Sequence, residues 1–124
     1  MDYIFNLLVD QYKIDSNRLW VTVFSGDDIF GQQFPRDKEI LELWEKLLPN
    51  KEHIVSFGKE YNFWIQGGGA EIAIESKLCG PQTEIFYDLG KKIVKKPTGC
   101  QTANVGDFSK YPTICLLPIK LHVN

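Results

Sequence analysis

Cys79-Gly80-Pro81-Gln82-Thr83-Glu84-Ile85-Phe86-Tyr87-Asp88 is a Gly-Pro turn feeding an acidic and aromatic strand. Strand alternation sets Glu84, Phe86 and Asp88 on one face and Ile85 and Tyr87 on the other. A face that mixes acids with an aromatic ring can receive an ammonium group, a ribose hydroxyl or a metal ion. Asp88 also precedes Leu89-Gly90, where capping a turn is the favoured reading of its carboxylate. For Glu84 the structural and the binding readings stand level.

Upstream, Leu19 to Phe24 alternates β-branched and aromatic residues and reads as a strand closed by Ser25-Gly26-Asp27-Asp28. Asp37 then caps a segment that places Ile40, Leu41, Trp44, Leu47 and Leu48 on one helical face until Pro49 and Asn50 stop it. His53 to Phe57 forms a second strand before Gly58. Strand, helix and strand in this order predict a small α/β layer over residues 1–58. It is preceded by a short amphipathic helix from Asp2 to Tyr12, with Ile4, Leu7, Leu8 and Tyr12 at helical spacing. Ile29 to Arg36, interrupted by Gly31 and Pro35, reads as an irregular excursion.

Beyond Gly58 the helical period disappears. Asn62–Gln66, Ala70–Glu75, Thr83–Asp88 and Thr113–His122 are strand-like and separated by Gly or Pro, with Leu89 to Pro112 as a long loop. Gly67-Gly68-Gly69 reads as a hairpin loop between Trp64 and Ala70. A phosphate cradle there is disfavoured, because no Lys-Ser or Lys-Thr follows. Residues 59–124 are thus expected to form antiparallel strands and a long loop. The expected fold class is α+β, an antiparallel sheet with flanking helices in a single domain.

Bulk properties bound the function. A chain of 124 residues, 44% hydrophobic and 24% charged, has the composition of a folded domain. Such a domain buries roughly two-thirds of the surface of its unfolded chain, so it needs no disulfide or metal for stability. The net charge of −2 gives no basic face of the kind that holds DNA or RNA. Lys91-Lys92 and Lys95-Lys96 read as a solvated loop rather than a phosphate patch. Cys79, Cys100 and Cys115 have neither a disulfide framework nor metal-knuckle spacing, which suits a reducing compartment. The N-terminus carries an acid where a targeting signal wants bases, and no apolar run has membrane-spanning length. The expectation is a cytoplasmic protein without membrane contact.

The sequence holds no nucleophile elbow, phosphate loop or zinc-protease motif. His53 and His122 lack local carboxylate or nucleophile partners and read as satisfied imidazoles. Trp64 fits either a pocket wall or the core, the core being the commoner fate of a lone Trp. The residues themselves therefore lead to an α+β domain with a candidate pocket around Trp64 and Glu84, and no catalytic residue.

Four blocks in order carry a family resemblance: Leu19 to Phe24 with Gly26-Asp27-Asp28, the helix from Asp37 to Leu48, His53 to Trp64 with Asn62-Phe63-Trp64, and Cys79 to Asp88. Together they resemble the alanyl-tRNA synthetases over the middle of the chain. The resemblance implies part of a class II aminoacyl-tRNA synthetase catalytic domain, which activates alanine with ATP and Mg²⁺ and passes it to tRNA. Trp64 would line the amino-acid pocket, and Glu84 and Asp88 would sit on or beside the active-site sheet as substrate-binding residues.

It also implies that the arginine motifs gripping ATP, motif two before residue 1 and motif three after residue 124, lie outside this chain. The expected partners are then alanine, tRNA and the remainder of a synthetase chain, and the 124 residues alone are expected to be inactive. Some family members have a Cys-X2-Cys-X6-His-X2-His array whose counterparts here are Cys79, Gln82, Leu89 and Lys92, so no structural zinc is expected. The family's compact turn after the Trp is replaced by Gly67 to Lys77, and its substrate-contacting Asn would fall at Leu116. The alternative reading is a non-catalytic relative of the synthetase core that binds RNA or protein.

Overall fold

The computed structural model describes residues 2–67, residues 78–90 and the backbone of residues 116–118. Strand β1 (Leu19–Phe24) is the centre of the fold, and all six of its residues are buried. A continuous apolar run broken only by Thr22 is what a strand covered on both faces requires.

β1 pairs in parallel with β4 (Ile54–Phe57) on one side and antiparallel with β7 (Glu84–Asp88) on the other. β7 pairs antiparallel with β8 (Leu116–Pro118), giving the order β4-β1-β7-β8. The sheet is mixed, with one parallel pair, where an antiparallel sheet was expected. The parallel pair follows from the crossover through α2 (Lys38–Leu47), which returns the chain to run beside β1.

One sheet face is covered by helices. Its core joins Leu19, Val21, Val23 and Ile85 of the strands to Leu8, Trp44 and Leu48. α2 begins where Asp37 Oδ1 accepts a hydrogen bond from Ile40 N at 3.1 Å, the expected cap. The N-terminal segment is helical over Asp2–Asn6 (α1) and continues as a π-helical turn over Leu7–Gln11.

The opposite face packs Trp20, Phe57 and Phe86, and beside them Phe24, Ile29 and Phe63. His53 closes this region: its ring stacks on Trp20 at 4.1 Å and its Nδ1 lies 3.0 Å from Leu19 O. The expected satisfied imidazole is what the structure shows.

Two local expectations are corrected. Residues 27–34 form a hairpin, β2 (Asp27–Ile29) and β3 (Gln32–Phe34), rather than an irregular excursion. Its tip is Phe30-Gly31, both at positive φ (52° and 85°), and Asp28 Oδ1 accepts from Gly31 N at 2.8 Å. Gly26 feeds this hairpin at φ 88°, where an added Cβ would stand 2.9 Å from Arg36 N.

The chain after Gly58 is not purely extended either, because Lys59–Asn62 forms a one-turn helix, α3, before β5 (Phe63–Ile65). β5 pairs antiparallel with β6 (Cys79–Pro81). The expected strand Ala70–Glu75, most of the Gly67–Gly69 loop, the Lys91-Lys92 and Lys95-Lys96 pairs, Cys100, Cys115, His122 and most of the segments Leu89–Pro112 and Thr113–His122 lie outside the described residues. Among the described residues no helix is long and apolar enough to cross a membrane.

Candidate functional site

The pairing of β5 with β6 sets Phe63 and Ile65 inward, where Phe63 meets Phe24 at 5.3 Å and Phe34 at 4.8 Å between ring centroids. Alternation then points Trp64 outward, and its side chain is 50% exposed. Trp64 is therefore a surface indole on a firmly packed strand, and the core reading of this residue is excluded. Its cross-strand partner is Gly80, and a Cβ added at Gly80 would meet nothing within 4 Å. Among the described residues the space over Gly80, on the face that Trp64 shares, is open.

A recess of about 280 Å³ lies among Ile29, Phe30, Lys59, Phe63 and Ile65. Phe63 and Ile65 face it from the side of β5 opposite Trp64, so the recess is distinct from the Trp64 surface.

Glu84 stands opposite Thr22 in the β1–β7 register, as Phe86 stands opposite Trp20. Glu84, Phe86 and Asp88 share the face that carries Trp20 and Thr22, as alternation predicts. Glu84 is half-buried, and burial pushes its carboxyl above the ordinary glutamate range. Its carboxylate has no hydrogen-bond or ion-pair partner among the described residues.

Asp88 differs, because its Oδ1 accepts from Gly90 N at 2.7 Å, the turn-capping role read from the sequence. Four residues of strand separate the two acids by roughly 13 Å. One Mg²⁺, whose ligands stand at about 2.1 Å, cannot be held by both. Among the described residues no group of three His, Cys, Asp or Glu side chains converges.

The partial burial of Glu84 has a consequence for stability. A carboxyl whose folded pKa is raised adds stability below its unfolded pKa and loses it as pH rises through the folded pKa. Glu84→Gln therefore raises the melting temperature at pH 7, and the gain shrinks to nothing below about pH 4. Melting curves from pH 3.5 to 7.5 test this; a difference that does not change with pH would contradict it.

Asp27 has the opposite sign. The hydrogen bond from Lys59 N, at 3.0 Å to Oδ2, is the main cause holding its carboxyl below the usual range. Lys59 Nζ closes the same latch at 3.0 Å from Asp28 O, tying the β2–β3 hairpin to the start of α3.

The polar layer between these elements was not visible in the sequence. Asn62 and Thr22 are fully buried, and Asn62 Nδ2 donates to Thr22 Oγ1 at 2.8 Å and to Gln82 O at 3.0 Å. Thr83 Oγ1 donates to Thr22 O at 2.7 Å and accepts from Trp44 Nε1 at 2.9 Å. Thr22, the one polar residue in an otherwise apolar strand, was the available signal.

These segments lie in three of the four family blocks, β1 in the first, α3–β5 in the third and β6 and β7 in the fourth, and Trp44 joins them from the second. A family model described as tRNA synthetases class II (A) matches residues 1–115. The chain belongs to this family of class II tRNA synthetases. The resemblance read from the sequence is borne out among individual relatives.

The alanine–tRNA ligase of Mycoplasma genitalium is 34% identical over 99 residues, covering 80% of this chain and 9% of that protein. That of Borreliella afzelii is 41% identical over 97 residues, covering 77% of this chain and 14% of that protein. The mitochondrial alanine–tRNA ligase of Mus musculus is 40% identical over 83 residues, covering 67% and 8%. The chain thus spans between 8% and 14% of the length of these relatives. The α+β class expected from the sequence agrees with the family and with the observed mixture of helices and sheet.

Proposed function

We propose that the Trp64–Glu84 surface is the amino-acid- and ribose-facing side of an adenylating site in an alanine–tRNA ligase. In that reaction the carboxylate of alanine attacks the α-phosphate of ATP, pyrophosphate leaves, and the alanyl group passes to tRNA. The observation that carries the reading is a half-exposed indole on a strand packed through Phe63 and Ile65, in register with a glycine over which the space is open among the described residues. The indole supplies an apolar wall for a small side chain. Glu84 offers a half-buried carboxylate, without a partner among the described residues, to an ammonium group or a ribose hydroxyl.

Asp88 has its Oδ1 committed to Gly90 N, so it meets a ligand through its remaining lone pairs, at a point well separated from Glu84. A ligand as long as an aminoacyl adenylate spans two such points, whereas a single ion does not. Both acids accept hydrogen bonds and neither neutralises phosphate, so the cationic groups that hold ATP come from other residues. Mg²⁺, where bound, offsets triphosphate charge. ATP, Mg²⁺, alanine, tRNA and the remainder of a longer synthetase chain are the proposed cofactors and partners, in a cytoplasmic setting.

Gly80 provides the test. Its φ is not in the left-handed region, so a β-branched side chain fits the backbone, and it has a higher strand preference than glycine. Gly80→Val is expected to keep or slightly raise the melting temperature. It should also weaken binding of a non-hydrolysable alanyl-adenylate analogue about tenfold, by filling the space beside Trp64. Titration calorimetry and thermal melting of the same variant check both halves. Undiminished affinity in a stable Gly80→Val chain would remove the proposed site from this surface.

A further inference from the structure

The segment that bears Trp64 is tied through one side chain, Asn62, both to the central strand and to the chain that leads into β7. Asn62 ends α3 two residues before Trp64, and Gln82 lies two residues before Glu84. The Asn62 amide donates to Thr22 on β1 and to the main chain of Gln82 at once, while Asn62 O accepts from Gln82 N at 2.9 Å. Gln82 returns the tie by donating from Nε2 to Tyr61 O at 2.8 Å. The β5–β6 ladder is thereby extended by one residue and pinned to the central strand at Thr22.

The same amide carries a penalty, because Asn62 Oδ1 is buried without a partner among the described residues. An unsatisfied buried acceptor costs free energy, so the side chain is not optimised for stability alone.

We propose that Asn62 is a positioning residue for the substrate surface: its amide fixes Trp64 on β5 relative to Glu84 on β7. This rests on the reading of that surface given above, and deepens it. Within a buried network each donor constrains both segments it bridges, so losing the amide frees the hairpin to shift against the sheet. Small displacements of contact groups are sufficient to weaken a pre-organised site.

The experiment uses the whole chain labelled with 5-fluorotryptophan, whose three indoles, Trp20, Trp44 and Trp64, report separately by fluorine NMR. Asn62→Ala removes both donations. Thr22→Val keeps the side-chain shape and removes the acceptor, which secures an answer if Asn62→Ala fails to fold. Leu48→Ala, in the core on the helical face, is the control for destabilisation without loss of the tie.

The expected result is a shifted or broadened Trp64 resonance in Asn62→Ala and Thr22→Val, with analogue affinity reduced at least fivefold in Asn62→Ala. Leu48→Ala should leave both unchanged within twofold and perturb Trp44 instead. An unmoved Trp64 resonance in both network variants overturns the proposal, whatever the affinity. If the unmutated chain binds no analogue, the reading of the surface fails, and the fluorine spectrum still decides whether Asn62 positions Trp64.

Discussion

Trp64→Ala is expected to weaken binding of the alanyl-adenylate analogue by about thirtyfold or more while costing the fold about 1 kcal/mol or less. The affinity loss follows from removing a large, rigid aromatic anchor, a change typically worth about 2 kcal/mol or more at a binding surface. The small effect on stability follows from the 50% exposure of the indole and from the anchoring of β5 by its neighbours, Phe63 and Ile65, which stay in place. Calorimetric titration alongside denaturant unfolding reads the two quantities separately. A variant that loses stability and keeps affinity would place Trp64 in the structure rather than in the site.

Trp44 gives the converse result. It is fully buried in the helical core and its Nε1 donates to Thr83 Oγ1. Trp44→Ala removes the largest side chain of that core, for which about 3–5 kcal/mol is the expected cost. Against the roughly 5–15 kcal/mol that holds a domain together, this is a large share and lowers the melting temperature by roughly 10–20 °C. Trp44→Phe keeps most of the ring and loses the hydrogen bond, and should cost about 1–2 kcal/mol. Thermal and denaturant unfolding check both. A Trp44→Ala chain that melts within about 3 °C of the unmutated one would contradict the core assigned to α2 and β1.

These two residues illustrate what the sequence made legible. Trp44 falls at the centre of a helical apolar stripe that starts at an Asp cap and ends at Pro49, so both its element and its burial follow from pattern. Trp64 lies in a three-residue strand, where too few positions exist for alternation to indicate which side is buried. Only the packing of Phe63 and Ile65 against Phe24 and Ile29 settles its direction.

The β2–β3 hairpin escaped notice because its turn is Phe30-Gly31. A bulky residue there occupies a left-handed position usually given to Asn, Asp or Gly, and Pro35 suggested irregular chain. The face shared by Glu84 and Asp88 was legible, since period two is fixed by the strand itself. The partial burial of Glu84 could not be read, because it depends on every element packed around that residue. The Asn62–Thr22–Gln82 tie joins residues 40 and 20 positions apart, and topology alone brings such pairs together. Family resemblance supplied the expectation for Trp64, and the proposal of a pocket wall there draws on its register opposite Gly80.

The 124 residues are proposed to present an alanyl-adenylate surface. Titration calorimetry of the 124-residue chain with the non-hydrolysable analogue, and separately with tRNA, tests it most directly. Saturable binding of the analogue at one site, weakened by Trp64→Ala and by Gly80→Val, is the expected result. Binding of tRNA with no heat from the analogue would contradict it and point to a non-catalytic RNA-binding relative of the synthetase core.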